Sequence, residues 1–154
     1  MQRENSYDLL VLGGGCGGAA AAIQAARLGV KTLLVEETPW LGGMVTSAGV
    51  SAFDGNKYAV GGGIFAELRS MIEEYYGGAD KTFTGWISLT CFEPKKGAEF
   101  LHTIAAREKM LDIWHGASIV SPLKDDSRIS GARIKKADGS ITDVHAVYTI
   151  EATE

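Results

Sequence analysis

A chain of 154 residues is long enough for one domain with its own core, and a hydrophobic fraction of 45% is ordinary for a globular protein. The net charge of −4, with acids and bases interspersed, argues against nucleic acid or a membrane surface as the main partner. Two cysteines, Cys16 and Cys91, and three scattered histidines without a C-x-x-C pattern argue against a disulfide framework and a metal site.

In chain order, residues 1–6 run straight into a strand, with no apolar leader before it and no run of membrane-spanning length after it. A cytoplasmic protein is therefore expected. Leu9 to Leu12 form a continuous apolar run, the pattern of a parallel strand covered on both faces. Gly13, Gly15 and Gly18 follow as G-x-G-x-x-G: one glycine for the tight turn, one for close backbone approach to a diphosphate, one for close packing of helix on strand. An Ala-rich helix comes next, with Ala22, Ile23, Ala26 and Leu28 available to face a sheet and Gly29 to stop it. Its amino end offers N–H groups and the positive end of a dipole. Thr32 to Val35 make a second strand, and Glu36 stands at its carboxyl end, 18 positions after Gly18. A carboxylate there accepts the hydroxyls of an adenosine ribose and repels a 2′-phosphate, which favours FAD or NAD over NADP. A βαβ unit whose glycines serve only packing is the structural alternative.

Residues 37–63 form a long glycine-rich connection with apolar members Trp40, Leu41, Met44, Val45, Val50 and Phe53, expected to be a functional loop. Ile64 to Tyr76 reads as a helix with Ile64, Leu68, Met71, Ile72 and Tyr75 on one side, ended by Gly77-Gly78. Thr82 to Phe92 is β-prone and aromatic. Pro94 opens another helix, about 94–108. Leu111 to Trp114 is a short strand. The last third reads as β-rich: 118–123, a polar turn at 124–127, 129–134, a hairpin signal at Asp138-Gly139, 141–144, and a last buried strand from Val147 to Ile150. The fold class is α/β: a Rossmann-like parallel sheet with helices, plus a small antiparallel β-meander at about 117–145.

The run Gly13-Gly14-Gly15-Cys16-Gly17-Gly18 with Glu36, followed by Leu41-Gly42-Gly43-Met44 and the 118–144 meander, resembles the FAD-binding part of glutathione-reductase-like FAD-dependent oxidoreductases. The stretch from Leu41 to Asn56 is similar to a bacterial, xanthan-lyase-like subgroup. The resemblance covers almost the whole chain and favours FAD over NAD. It implies that backbone groups around Gly13, Gly15, Cys16, Gly17 and Gly18 meet the pyrophosphate. It implies that Glu36, with Glu37 beside it, meets the adenosine. Gly42, Gly43 and Met44 match a second glycine motif along the pyrophosphate and ribityl chain. Ile119 matches a main-chain contact to the adenine edge, and Ala152-Thr153 an Ala-Thr-Gly motif, with Glu154 in place of the glycine. In the family, a substrate domain and a final strand with a Gly-Asp motif follow, so the chain is expected to be the amino-terminal piece of a larger flavoenzyme, incomplete at its carboxyl end.

Other polar groups carry less. Cys16 sits where a thiol pKa is lowered, yet the resemblance implies a small filler. Cys91 is expected in the core. His102, His115 and His145 are expected to be structural or exposed, and the pairs Glu73-Glu74 and Lys95-Lys96 to be surface groups. Trp40 and Phe53 either border a flavin or pack the long loop. No set of Ser, His and Asp suggests a catalytic residue. The expected function is flavin-mediated hydride or electron transfer to an unidentified small-molecule substrate. The alternatives are a dinucleotide-binding module without turnover, or an NAD-binding Rossmann domain. An exposed sheet edge left by the absent final strand points to a homodimer.

Overall fold

The computed structural model describes residues 5–54 and 61–153. Expectations for residues 1–4, for residues 55 and 56 at the end of the glycine-rich stretch and for Glu154 lie outside these residues. The elements are β1 (Ser6–Leu12), α1 (Cys16–Arg27), β2 (Thr32–Glu36), β3 (Ala52–Phe53), α2 (Gly63–Tyr76), α3 (Ala79–Thr82), β4 (Thr90–Cys91), α4 (Pro94–Ala105), β5 (Leu111–His115), β6 (Ser118–Asp125), β7 (Arg128–Lys135) and β8 (Ile141–Glu151).

A six-stranded sheet runs in the order β5-β2-β1-β8-β7-β6. The first four strands are parallel, and β6, β7 and the start of β8 form an antiparallel meander. The apolar run of β1 has a direct explanation in this arrangement. Leu9 and Val11 point into a core built with α1, α2 and α4, where Ala22, Ile23, Ile72, Leu101 and Ile104 are buried. Leu10 and Leu12 point to the opposite face, into a second core with Leu33, Val35, Ala132, Ile134 and Val144. From Leu9 to Leu12 neither face of β1 meets water, so no polar alternation survives there, while Asp8 nearer its start is exposed. Burial of each large aliphatic side chain contributes about 1.5–3 kcal/mol, and the two cores together hold this strand at the centre of the sheet.

The chain lays strands outward from β1 through β2 to β5, then returns by the meander to place β8 on the other side of β1. The direction of winding thus reverses between β1 and β8. In open parallel sheets a crevice opens at such a reversal, beyond the carboxyl ends of the strands.

Several elements differ from the sequence reading. Residues 141–144 and 147–150 are one continuous strand, β8. Its first part, Ile141 to His145, pairs with β7, and its later part, from His145 to Glu151, pairs with β1. The part beyond the meander is not buried: Val147 is 46% exposed and Tyr148 72%. Between Thr82 and Phe92 only Thr90–Cys91 is strand, paired with β3; Phe83, Trp86 and Ile87 are exposed. Cys91 is half-buried: in its two-residue strand Thr90 faces inward and is buried, and Cys91, next along, points to the other face. Helix α4 stops at Ala105, short of residue 108, since Ala106 to Glu108 bond back as a closing turn. Leu28 lies beyond the last turn of α1 and is exposed, not packed on the sheet. The connection after β2 is ordered by a 3₁₀ turn at Gly43–Val45 and by Thr46, whose buried hydroxyl donates to the Leu41 carbonyl at 2.7 Å. Phe53 packs against Phe65 and Phe92, with ring centroids at 4.9 and 5.0 Å.

Candidate dinucleotide site

A crevice of about 350 Å³ lies at the reversal of the sheet. Its walls are the segments that leave the strands: Gly13, Gly14 and Gly15 after β1, Val35 to Thr38 at the end of β2, Ala117 to Ile119 after β5, and Ala152-Thr153 after β8, with Gly43 and Ser47 from the glycine-rich connection.

The floor is the glycine turn. Gly13 adopts φ +100°, and a Cβ there would run into the main chain of Ala152 and Thr153. Gly18 is buried one turn into α1, where a Cβ would collide with the Gly13 carbonyl and touch the Ala152 side chain. These two positions let β1, α1 and the end of β8 meet at backbone distance. The amino end of α1 is capped by Gly15, which has no side chain to satisfy the first-turn N–H groups. Amides there have no partner within the helix, and they sit at the positive end of its dipole.

The carboxylate of Glu36 is 8% exposed and fixed by the main chain at both oxygens. Gly14 N–H donates to Oε2 at 2.6 Å and Thr38 N–H to Oε1 at 2.8 Å. Each oxygen keeps a lone pair for a hydroxyl in the crevice. The two glycine segments are tied to each other. Gly15 and Gly42 form a parallel bridge, Gly42 N–H donates to the Gly14 carbonyl at 2.8 Å, and the Cys16 thiol donates to the Gly42 carbonyl at 3.0 Å.

This donor set fits an adenine dinucleotide: amides and a helix dipole for a diphosphate, a doubly anchored carboxylate for a ribose, and, among the described residues, no cationic side chain on the crevice wall to meet a 2′-phosphate. Among the described residues no group of His, Cys, Asp and Glu is arranged to hold a metal ion.

Of the residues singled out from the sequence, Gly13, Gly15, Glu36, Glu37, Gly43, Ile119 and Ala152 line the crevice together. Cys16 and Gly17 are exposed at its rim, on the first turn of α1. Gly18 and Gly42 lie beneath it and act through packing and backbone bonds. Met44 does not line it and is 51% exposed. Sequence reasoning passed over Gly14, Thr38, Ser47, Ala117 and Ser118, which do line it. The triple glycine at 13–15 was a signal for Gly14. Ala117 and Ser118 follow a short strand with no motif of their own.

His115 and His102 are neighbours, with ring centroids 6.3 Å apart, and His115 Nδ1 lies 3.1 Å from the Thr38 carbonyl. His115, paired in register with Glu36, braces the wall there, while His102 is exposed. No helix among the described residues is long and apolar enough to cross a membrane.

Comparison with known proteins agrees with this geometry. The family described as FAD dependent oxidoreductase matches residues 8–154. The digeranylgeranylglycerophospholipid reductase of Thermoplasma acidophilum is 29% identical, over 96% of this chain and 39% of that protein. Its counterpart from Picrophilus torridus is 32% identical, over 97% of this chain and 39% of that protein. The chain therefore spans well under half the length of these curated relatives. Among solved structures, a geranylgeranyl bacteriochlorophyll reductase-like protein from Thermoplasma acidophilum superposes with a TM-score of 0.65 at 26% identity, over 97% of this chain and 39% of that one. The myxobacterial chondrochloren halogenase CndH, an FAD-dependent halogenase, gives a TM-score of 0.65 at 17% identity, over 97% of this chain and 38% of that one; this second likeness bears on the fold alone.

Proposed function

This chain belongs to the FAD-dependent oxidoreductase family, and from that membership we propose that its residues form the part that grips the adenosine diphosphate half of FAD for a flavin-dependent reductase. The observation that carries this reading is the Glu36 carboxylate, held by two main-chain amides beside an uncapped helix amino end in one crevice. In this reading Glu36 accepts the ribose hydroxyls. Amides of residues 15–17 take the diphosphate. Gly42 and Gly43 carry the chain alongside it, and Ala152-Thr153 close the crevice from the end of β8. The bound flavin supplies the two-electron chemistry, while the protein supplies binding, orientation and electrostatics. Among the described residues, Glu36 and Glu37 are the only ionisable side chains on the crevice wall, which supports a binding rather than a proton-transferring role for it.

The names of the relatives support a reductase acting on a molecule that carries geranylgeranyl chains. The likeness of Leu41 to Asn56 to the xanthan-lyase-like bacterial subgroup supports a different branch of the same family. Incubation with a geranylgeranyl lipid and a chemical reductant, followed by mass spectrometry, tests the first: addition of hydrogen to the prenyl chains is expected, and an unchanged lipid counts against it. A homodimer is proposed on a specific feature. Beyond the meander, β8 has a strand on one side only among the described residues and exposes Val147 and Tyr148, an edge that invites pairing. Light scattering at twice the monomer mass is the expected result.

The cofactor reading is tested by the visible spectrum of the purified protein after incubation with FAD and gel filtration. Flavin absorbance should co-elute with protein and be released by heat. Co-elution of NADH in preference to FAD would overturn it.

A further inference from the structure

Residues 82–92 carry no charged side chain, in a chain where 22% of residues are charged. Both ends of this run are fixed. The Thr82 hydroxyl donates to the Ala79 carbonyl at 2.9 Å. Leu89 N–H donates to the Phe53 carbonyl at 2.9 Å, Phe92 N–H to the Ser51 carbonyl at 3.0 Å, and the Ser88 hydroxyl to Asp54. Between these anchors the chain closes on itself: a Cβ at Gly85 would stand 3.0 Å from the Ser88 Cβ and 3.1 Å from the Cys91 Sγ. Trp86 and Ile87 therefore form the apex. Trp86 is 98% exposed and Ile87 72%, and Phe83 on the approach is 54% exposed. The apex hangs from residues 51–54, the end of the glycine-rich connection that leaves the crevice, on which Met44 and Val50 are also exposed.

We propose that this loop inserts into the surface of a phospholipid bilayer, with Trp86 and Ile87 as its anchors. The area favours lipid over a protein partner. Phe83, Trp86 and Ile87 together offer roughly 500 Å² at most, against about 800 Å² per partner in a stable protein interface. A bilayer asks for no complementary shape, and an indole suits the headgroup level, where its ring is covered and its N–H stays wet. The absence of charge from residues 82–92 removes the main cost of entering that layer. The net charge of −4 opposes capture by anionic lipid but not apolar insertion. The choice of lipid rests on the reductase reading above, since two of the relatives are named for a phospholipid.

Flotation of the chain with phosphatidylcholine vesicles tests the insertion. The unaltered chain should float with these neutral vesicles equally at about 0.05 M and about 0.5 M salt, because no charge takes part. The double variant Trp86→Ser, Ile87→Ser should lose about tenfold or more in partition coefficient, as two large apolar side chains are removed. Its Tm should not change, because both side chains stand in solvent. No flotation of the unaltered chain, flotation that needs anionic lipid and vanishes with salt, or equal flotation of the double variant each overturns the proposal. So does a loss of dimer in the double variant, measured by light scattering without vesicles, which would make the loop a contact between copies. Flotation as expected, with a geranylgeranyl lipid in the vesicles left unreduced, supports the insertion and overturns the reductase reading alone.

Discussion

At the scale of single residues, the candidate site depends on where the main chain places its amides. Glu36 is useful as a ribose acceptor because Gly14 and Thr38 hold both of its oxygens in one orientation. Replacing it with alanine should weaken FAD binding by about 1–3 kcal/mol, about fivefold to more than a hundredfold, as two hydrogen bonds to a carboxylate are lost; calorimetry reads this directly. Gly18→Ala tests the packing beneath. The added methyl meets the Gly13 carbonyl, which is backbone and cannot swing aside. The expected cost is about 1–3 kcal/mol, seen as a lower Tm without added FAD. The sequence made Gly13, Gly15, Gly18 and Glu36 legible because each follows from a local need: a turn, a close approach, a strand end. Thr38, Ala117 and Ser118 were not legible. Thr38 is held there by its N–H bond to Glu36, and the place of Ala117 and Ser118 comes from β5 pairing with β2, which brings residue 117 beside residue 36, where Ala117 N–H donates to the Glu36 carbonyl at 3.1 Å.

At the scale of elements, one polar cluster fastens the helical layer. Arg27, in the last turn of α1, donates to Glu67 on α2 at 2.6 and 2.8 Å and to Glu108, just after α4, at 2.7 Å. The guanidinium hydrogen bonds hold the Glu67 carboxyl below its ordinary pKa. A carboxyl whose pKa falls on folding adds stability above its unfolded pKa and loses it as the pH drops through the folded value. Arg27→Met should therefore lower stability by about 1 kcal/mol near neutrality, these groups being partly exposed. The deficit should shrink as the pH falls below about 4.5, the ordinary value for glutamate. Urea melts at pH 7 and pH 3.5 measure both. Helix α2 was readable because Ile64, Leu68 and Ile72 recur at helical spacing, and α4 because Pro94 stands at its first turn. The β-prone run from Thr82 to Phe92 misled because its aromatic residues serve different partners: Phe92 enters the core, while Phe83 and Trp86 face solvent. The split of β8 into two strands was a misreading of His145-Ala146, where the partner changes but the strand does not.

At the scale of the whole molecule, the crevice joins segments that follow β1, β2, β5 and β8. A ligand bound there stabilises all of them at once. FAD at a hundred times its Kd should add about 2.7 kcal/mol, raising Tm by about 5–10 °C for a domain of this size, and differential scanning fluorimetry should show one sharpened transition. One strand makes this coupling unavoidable. At His145, β8 passes from the meander to the parallel sheet, pairing with Gly131 on one side and Ser6 on the other. Seven residues later the Ala152 N–H donates to the Leu12 carbonyl at the crevice. The strand thus works as a ruler, with its zero mark set in the hairpin and its far end at the cofactor. Adding one residue between His145 and Ala146 would leave the meander in step and turn every later side chain to the opposite face. Amides of the meander and of the glycine turn should accordingly exchange with deuterium as a single cooperative unit, slowed together when the cofactor is bound.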